Sequence, residues 1–185
     1  MSETAPAKPR VGITQLGGFI TRAQTSSGIP PDDAGHVAAL MVEADARGGD
    51  AHDIFRLPQC VKQIQSRGIN ARPDIRIVSD RAGAALIDGD NALGHLVMKR
   101  AAELAIDKAR QCGIGWVGTR RSNHAGSAQL YARMPAEKDM IGLYFCIGNA
   151  NLLSPWGGTE DHQHRFWKDP TQGARQRADA GRLDE

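Results

Sequence analysis

The sequence has few cysteines, little net charge and no long apolar run, and each shortage argues against a class of protein. Cys60, Cys112 and Cys146 are odd in number and widely spaced, which argues against a disulfide framework and against a CxxC zinc site. Reduced thiols in a cytoplasmic protein are therefore expected. The formal net charge of +2 gives no broad basic field for nucleic acid. No apolar stretch has the length of a membrane span.

The sequence does contain alternating helix and strand patterns. Apolar residues at helical spacing, and apolar residues alternating with polar ones, predict a chain in which helices and short strands follow each other. This order is typical of an α/β or α+β fold, with N-terminal helices followed by a mixed sheet flanked by helices. The predicted helices are 12–28, a second from an N-cap at Asp32 or Asp33 to about Arg47, 55–67, 93–112 and 124–138. A hairpin is predicted within 75–87, and buried strands at 114–119 and 140–147.

The stretch 113–118 reads GIGWVG and fits the dinucleotide-binding pattern G-x-G-x-x-G. A working fingerprint follows a strand and opens a helix, so that the helix N-terminus meets the pyrophosphate. Here the order is inverted, because GIGWVG follows the long predicted helix and opens a predicted strand, with Gly115 and Gly118 in or beside that strand. Gly113 is instead expected to end that helix in the left-handed conformation. The pattern is therefore interpreted as accidental.

The two ends of the chain differ in composition from the middle. The first residues are polar and proline-containing, and they are expected to be a frayed tail and not a signal peptide. From Thr159 onward the sequence has no Val, Ile or Met and a single Leu, so disorder is expected there. The predicted organisation is a tail at 1–11, a helical and α/β part at 12–118, a further part at 119–160 and a disordered tail at 161–185.

Two histidine-bearing loops are candidates for chemistry. In the first, His52 precedes a predicted helix and Arg56 follows one turn later. An imidazole can protonate a carbonyl oxygen, and a guanidinium can grip a carboxylate with two hydrogen bonds, a combination that suits a 2-oxo or 2-hydroxy acid. The alternative is a His and an Arg that cap the helix and pair with Asp50 or Asp53.

The second loop carries His124 at the mouth of a predicted helix with Ser122 or Asn123 as its N-cap. Small residues after the histidine would let an anion approach the backbone N–H groups. These small residues are Ala125, Gly126 and Ser127. The alternative is an ordinary capped turn with a solvated His. Two other histidines, His36 and His95, are interpreted as structural, and His162 with His164 would need a further ligand to hold a metal, so no metal site is predicted.

Three segments in order resemble the signatures of one enzyme family. ADARGGDAHDIFRLP resembles the pattern ARGxDSHGxxRLP, RRSNHAGSAQLYA resembles SNHFGxxxxYA, and MIGLYFCIGNANLLSPWGG resembles the following strand and its loop ending in PxGG. These are the signatures of the malate/L-lactate dehydrogenase family, whose fold is sulfolactate-dehydrogenase-like and not Rossmann. The resemblance covers about residues 12–160.

The resemblance implies an NAD(P)-dependent oxidoreductase that interconverts a 2-hydroxy acid and a 2-oxo acid, usually as a homodimer. It makes His52 the acid/base residue and Arg56 the substrate-carboxylate residue. His124, together with Ala125, Gly126 and Ser127, would contribute to the cofactor and substrate site, as would Asn149. The part at 119–160 would then be the start of the cofactor-binding region.

The chain also departs from the family patterns. Ala51 replaces a serine, Asp53 a glycine and Ala125 an aromatic residue. Family members are longer, so the chain is expected to be truncated after about residue 160, with an incomplete fold. The alternative to an active dehydrogenase is therefore an inactive remnant of the family, at most an interaction module.

Overall fold

The computed structural model describes residues 11–48 and 54–146. The chain divides into two compact units, 1–144 and 145–185, and only residues 145–146 of the second unit are described. Within the described residues the helices are α1 (Ile13–Thr25), α2 (Pro31–Ala46), α3 (Leu57–Gln65), α4 (Gly94–Cys112) and α5 (Ala128–Arg133). The strands are β1 (Arg76–Asp80), β2 (Ala84–Ala92) and β3 (Trp116–Ser122), and short 3₁₀ helices lie at Ile54–Arg56 and Ala136–Lys138.

The first three helices form an apolar layer, as their periodicity predicts. α2 packs against α1, and α3 and the 3₁₀ helix before it complete the layer. Its buried core includes Ile20, Val37, Met41 and Leu57. Burial of such side chains contributes roughly 1.5–3 kcal/mol each.

Two predicted boundaries in this layer were wrong because proline determines them. The N-cap of α2 is Pro30 and not an aspartate, since Pro31 occupies the first helical position where a missing N–H costs nothing. Asp32 and Asp33 lie in the first turn instead, where carboxylates favour the positive end of the helix dipole. The single helix predicted at 55–67 is a 3₁₀ turn followed by α3, which begins so that Pro58 falls in its first turn.

The sheet is mixed, and its strand order is β1-β2-β3. β1 pairs antiparallel with β2, which confirms the predicted hairpin, and β2 pairs parallel with β3. α4 connects β2 to β3 and packs against both strands. Ile87 of β2 and Val97 of α4 lie in one fully buried cluster between helix and sheet. The predicted α/β architecture with a mixed sheet is confirmed.

The stretch 113–118 runs from the end of α4 into the start of β3, as the sequence predicts. Gly113 is the C-cap of α4 in the left-handed conformation, with φ 79°, and its N–H donates to Ala109 O at 2.8 Å. A Cβ at Gly115 would lie 1.9 Å from Ala105 O, so this glycine allows the chain to pass against α4. Gly113 ends α4, and Gly115 allows the chain that enters β3 to pack against α4. The predicted order, a helix followed by a strand, is confirmed.

The last described elements differ from their predictions. β3 begins at Trp116 and is half-exposed, because it is an edge strand in the described sheet. The buried strand predicted at 140–147 is wrong for residues 140–146, which form no strand and leave Ile141 93% exposed and Leu143 76% exposed.

The helix predicted at 124–138 is also wrong, because it is reduced to α5 and the 3₁₀ turn at Ala136–Lys138. Pro135 cannot donate the hydrogen bond that would continue α5, and it occupies the N-cap of the 3₁₀ turn instead. None of the helices in the described stretches combines the length and the hydropathy that crossing a bilayer requires.

Candidate active site and cofactor-binding loop

The loop after β3 is anchored to the corner between β2 and α4. Asn123 makes the attachment: its N–H donates to Ala92 O at 3.2 Å, and its side-chain Nδ2 lies 3.0 Å from Ala92 O, from Asn91 O and from Asn91 Oδ1. Asn91 itself has a positive φ of 59°, which asparagine tolerates better than most residues. These hydrogen bonds fix the position of the first residue of the loop.

Gly94, the first residue of α4, fixes the loop from the other side. Its N–H donates to His124 O at 3.2 Å. A Cβ at this position would lie 2.1 Å from Asn123 O and 2.6 Å from His124 O, distances that real Cβ atoms do not show. Only glycine therefore lets the first turn of α4 touch the backbone that carries His124.

An ion-pair network joins β2 and β3 near this corner. The buried Asp88 carboxylate of β2 accepts from Arg120 Nε at 2.9 Å and from Arg121 Nη1 at 3.2 Å, both on β3. The Asp90 N–H also donates to Asp88 Oδ1 at 2.9 Å. This backbone hydrogen bond is the largest cause that lowers the pKa of Asp88, and the two arginines add to it. The network keeps a charged carboxylate next to the register shift in the β2–β3 pair.

His124 is half-buried, and its ring lies against that of His95 on α4. The two ring centroids are 6.2 Å apart with an interplanar angle of 77°, an edge-to-face arrangement. His95 is 1% exposed, and within the part of the chain that the structure describes neither of its ring nitrogens has a hydrogen-bond partner. Burial, and to a smaller extent the charge of His124, lower the pKa of His95 to about 3, so His95 is neutral at physiological pH.

Residues Ala125, Gly126 and Ser127 continue the loop and are half-buried. Gly126 has φ 77°, the left-handed region, and Ser127 is the N-cap of α5. The N–H groups of these three residues have no acceptor among the described residues. The carbonyl of Ala125 accepts from the buried Tyr131 hydroxyl, whose pKa burial raises strongly. Three consecutive backbone donors therefore border His124.

The predicted position of the helix relative to this loop was wrong. α5 begins at Ala128, so neither Ser122 nor Asn123 is its N-cap, and the three small residues precede the helix. Ser122 is the last residue of β3, and the side chain of Asn123 binds the neighbouring strand end instead. The donors come from an extended loop and not from the first turn of a helix.

Arg56 lies at the end of the 3₁₀ helix that precedes α3, and its Nη1 donates to Gln59 Oε1 at 2.8 Å. Burial is the largest cause that raises the pKa of the Cys60 thiol, and the positive charge of Arg56 acts in the opposite direction. α2 contacts both this 3₁₀ helix and α5, so the two candidate loops lead to elements that pack on the same helix. His52 and Asn149 lie outside the described residues, as do His162 and His164.

Sequence reasoning did not associate His95 with the second loop. The interpretation of His95 as a structural residue at the start of a helix fits its burial, but the pattern gave no sign that it touches His124. The only available signal was the Gly94-His95 pair directly after a strand, since a glycine at a helix start permits close approach of another segment.

Comparison with known proteins places this geometry in a family. The sequence model described as malate/L-lactate dehydrogenase matches residues 11–163. The chain belongs to the malate/L-lactate dehydrogenase family. The match spans both histidine-bearing loops, and it agrees with the resemblance that the sequence segments suggest.

Several members of the malate/L-lactate dehydrogenase family are similar to the chain. It is 44% identical over 151 residues to a malate dehydrogenase of Pyrococcus horikoshii, a stretch that covers 82% of the chain and 42% of the relative. It is 42% identical over 134 residues to an L-sulfolactate dehydrogenase of Methanocaldococcus jannaschii, covering 72% and 38%. An Escherichia coli ureidoglycolate dehydrogenase (NAD(+)) is 31% identical over 134 residues, again covering 72% and 38%.

The fold is shared as well. The solved structure of malate dehydrogenase from Pyrococcus horikoshii superposes with a TM-score of 0.69 at 43% identity and covers 75% of the chain but 40% of that protein. The chain thus spans about two fifths of the length of the relatives it matches.

Proposed function

We propose that the chain carries part of the active site of an NAD(P)-dependent oxidoreductase that interconverts a 2-hydroxy acid and a 2-oxo acid. Family membership supports the reaction class. The observation that carries the proposal is the half-buried loop Asn123–Ser127, fixed at its start by Asn123 and Gly94, which offers three backbone N–H groups beside His124. Donors in a fixed loop without acceptors among the described residues suit a polar ligand, because they cost little reorganisation when it binds.

The loop suits a nicotinamide cofactor in particular. Carboxamide and phosphate oxygens are hydrogen-bond acceptors, and the N–H groups of Ala125, Gly126 and Ser127 are donors without acceptors among the described residues. NAD(+) appears in the name of the ureidoglycolate dehydrogenase relative, which supports this class of cofactor. When bound, the nicotinamide would supply the hydride chemistry. We propose Asn149 as a further contact to NAD or NADP.

Arg56 and His52 are proposed to act on the substrate. The Arg56 guanidinium can bind a carboxylate with two hydrogen bonds, which would fix the substrate in one orientation. His52 would donate a proton to the carbonyl oxygen during reduction and remove it during oxidation. His124 would complete the site from the loop that binds the cofactor.

A turnover assay tests the proposal. The purified chain is mixed with NADH or NADPH and with oxaloacetate or pyruvate, and consumption of reduced cofactor is followed. We expect activity that falls in Arg56→Gln, with KM raised about tenfold or more because charge-assisted hydrogen bonds are lost. Arg110→Gln is the matched control, since Arg110 lies in the last turn of α4 and pairs with Asp107. No consumption above the rate without substrate contradicts the activity.

Exposed apolar side chains favour a second candidate, a catalytically inactive family member that acts at most as an interaction module. The side chains of residues 140–144 alternate between partly buried and exposed. Tyr144 stacks on Tyr131 with ring centroids 5.5 Å apart, whereas Ile141 and Leu143 are exposed to solvent. An apolar surface of this kind marks interaction sites. Self-association should then increase with concentration in analytical ultracentrifugation and decrease in Ile141→Ser/Leu143→Ser. A monomer at every concentration contradicts this candidate.

We propose a cytoplasmic homodimer for the active protein. The three cysteines are free thiols, and Cys112 and Cys146 are exposed. Exposed thiols persist in a reducing compartment, which supports the location. The same ultracentrifugation experiment measures whether two copies associate, and the turnover assay distinguishes an active dimer from an inactive chain that self-associates.

A further inference from the structure

His95 is buried at a cost that the fold alone does not explain. His95 is 1% exposed, and neither of its ring nitrogens has a hydrogen-bond partner among the described residues. A buried polar group without a partner is destabilising, and an apolar side chain of similar size would avoid the penalty. Such groups in native structures call for an explanation, and a functional role is one of the few available.

The surroundings of His95 connect it to one neighbour in particular. Its ring lies edge-to-face with that of His124, 6.2 Å between centroids. Edge-to-face contact is a preferred geometry for two aromatic rings, because the positive edge of one meets the negative face of the other. The backbone at the two positions is fixed by the Gly94 N–H bond to His124 O. With both backbones fixed, the ring of His95 limits which rotamers the ring of His124 can adopt.

We propose that His95 is a positioning residue, whose buried ring holds the imidazole of His124 in one orientation beside the donors of the cofactor-binding loop. The proposal rests on the proposed function for the meaning of that orientation, but the orientation itself can be measured without cofactor. Neutrality of His95 at physiological pH supports the arrangement, because a cationic His95 ring in this buried position would be strongly destabilising.

Nuclear magnetic resonance of the full chain with labelled histidine tests the contact. Single His→Gln variants assign the six histidines. In the unmodified chain we expect one set of His124 ring signals and a nuclear Overhauser effect between the two rings. His95→Leu should split or broaden the His124 signals, His95→Phe should keep a single set because it retains a ring, and His36→Leu, at an exposed site on α2, should change nothing. Absence of the inter-ring effect in the unmodified chain overturns the proposal, even if a variant fails to fold.

Cofactor titration supplies the second measurement. His95→Leu should weaken NADH binding by about 3- to 10-fold, the cost of losing one preferred rotamer, while His36→Leu should not. Unchanged His124 signals and unchanged affinity in folded His95→Leu overturn the positioning role. If the unmodified chain binds neither NADH nor NADPH, the proposed function fails, and the ring signals still decide the role of His95.

Discussion

Gly94 is the residue on which the geometry of the candidate site depends most directly. Gly94→Ala would force a Cβ against two backbone carbonyls of the loop, so α4 or the loop must move. We expect a loss of about 1–3 kcal/mol in the free energy of unfolding, the usual cost of overpacking, together with weaker cofactor binding. Urea denaturation measures the first effect and calorimetric titration the second.

Gly35 provides the matched control for this substitution. It lies inside α2, and a Cβ there would meet no atom within 4 Å. Gly35→Ala should therefore stabilise the chain by about 0.5–1 kcal/mol, because alanine loses less backbone entropy in a helix. Equal effects of the two substitutions would contradict the role assigned to Gly94.

The burial of His95 predicts a specific dependence of stability on pH. The pKa of His95 is about 3 in the folded chain, whereas an unfolded histidine has about 6.5. Protonation therefore favours the unfolded state, and the contribution of His95 is fully present above pH ~6.5 and is lost as the pH falls toward 3. The slope is at most about 1.4 kcal/mol per pH unit.

Urea denaturation at several pH values between 7.5 and 5 measures this dependence. His95→Leu should lose less stability on acidification than the unmodified chain, and His36→Leu should lose as much as the unmodified chain. The interpretation is contradicted when all three proteins share one slope.

At the scale of elements, substitutions of Gly113 distinguish a role in ending α4 from a role in binding cofactor. Its φ of 79° strains any residue with a Cβ, although a Cβ there would meet nothing within 4 Å. Gly113→Ala should lower the free energy of unfolding by about 1 kcal/mol, and Gly113→Asn by less, since asparagine tolerates this conformation. NADH affinity should not change in either variant. A selective loss of affinity would mean that GIGWVG binds cofactor after all.

The sequence predicted elements whose pattern is local. The long amphipathic α4 and the hairpin of β1 and β2 were confirmed, because their apolar periodicity and their glycine signals lie within the elements themselves. The strand predicted at 114–119 also forms, as β3, but it is half-exposed and not buried. The prediction for α5 failed because Pro135 interrupts the helix, and the prediction for 140–146 failed because these residues pair with no strand among the described residues. Strand pairing depends on residues far apart in sequence, and periodicity does not report it.

In the candidate site, too, local features were predicted from the sequence and contacts between distant residues were not. The spacing of His124 and the small residues after it identified the loop, but the start of α5 was misplaced by several residues. The anchoring by Asn123, the close approach of Gly94 and the contact with His95 join positions about 30 residues apart, and only the folded chain brings them together. His52 stays a prediction, since it lies outside the described residues.

At the scale of the whole molecule, the chain has the fold of its family over a length that covers about two fifths of its relatives. The relatives are named for malate, sulfolactate and ureidoglycolate. Three substrates in one family show that membership defines the reaction class more closely than the substrate. The central claim is therefore that this length of chain retains a cofactor-binding loop.

Isothermal titration calorimetry with NADH and then NADPH tests that claim most directly, after circular dichroism has shown the chain to be folded. The account predicts saturable binding of at least one cofactor, with affinity reduced about tenfold in His124→Ala because a side chain bordering the site is lost. His36→Leu should bind like the unmodified chain. A folded chain that binds neither cofactor would contradict the account and would leave the interaction module as the better description.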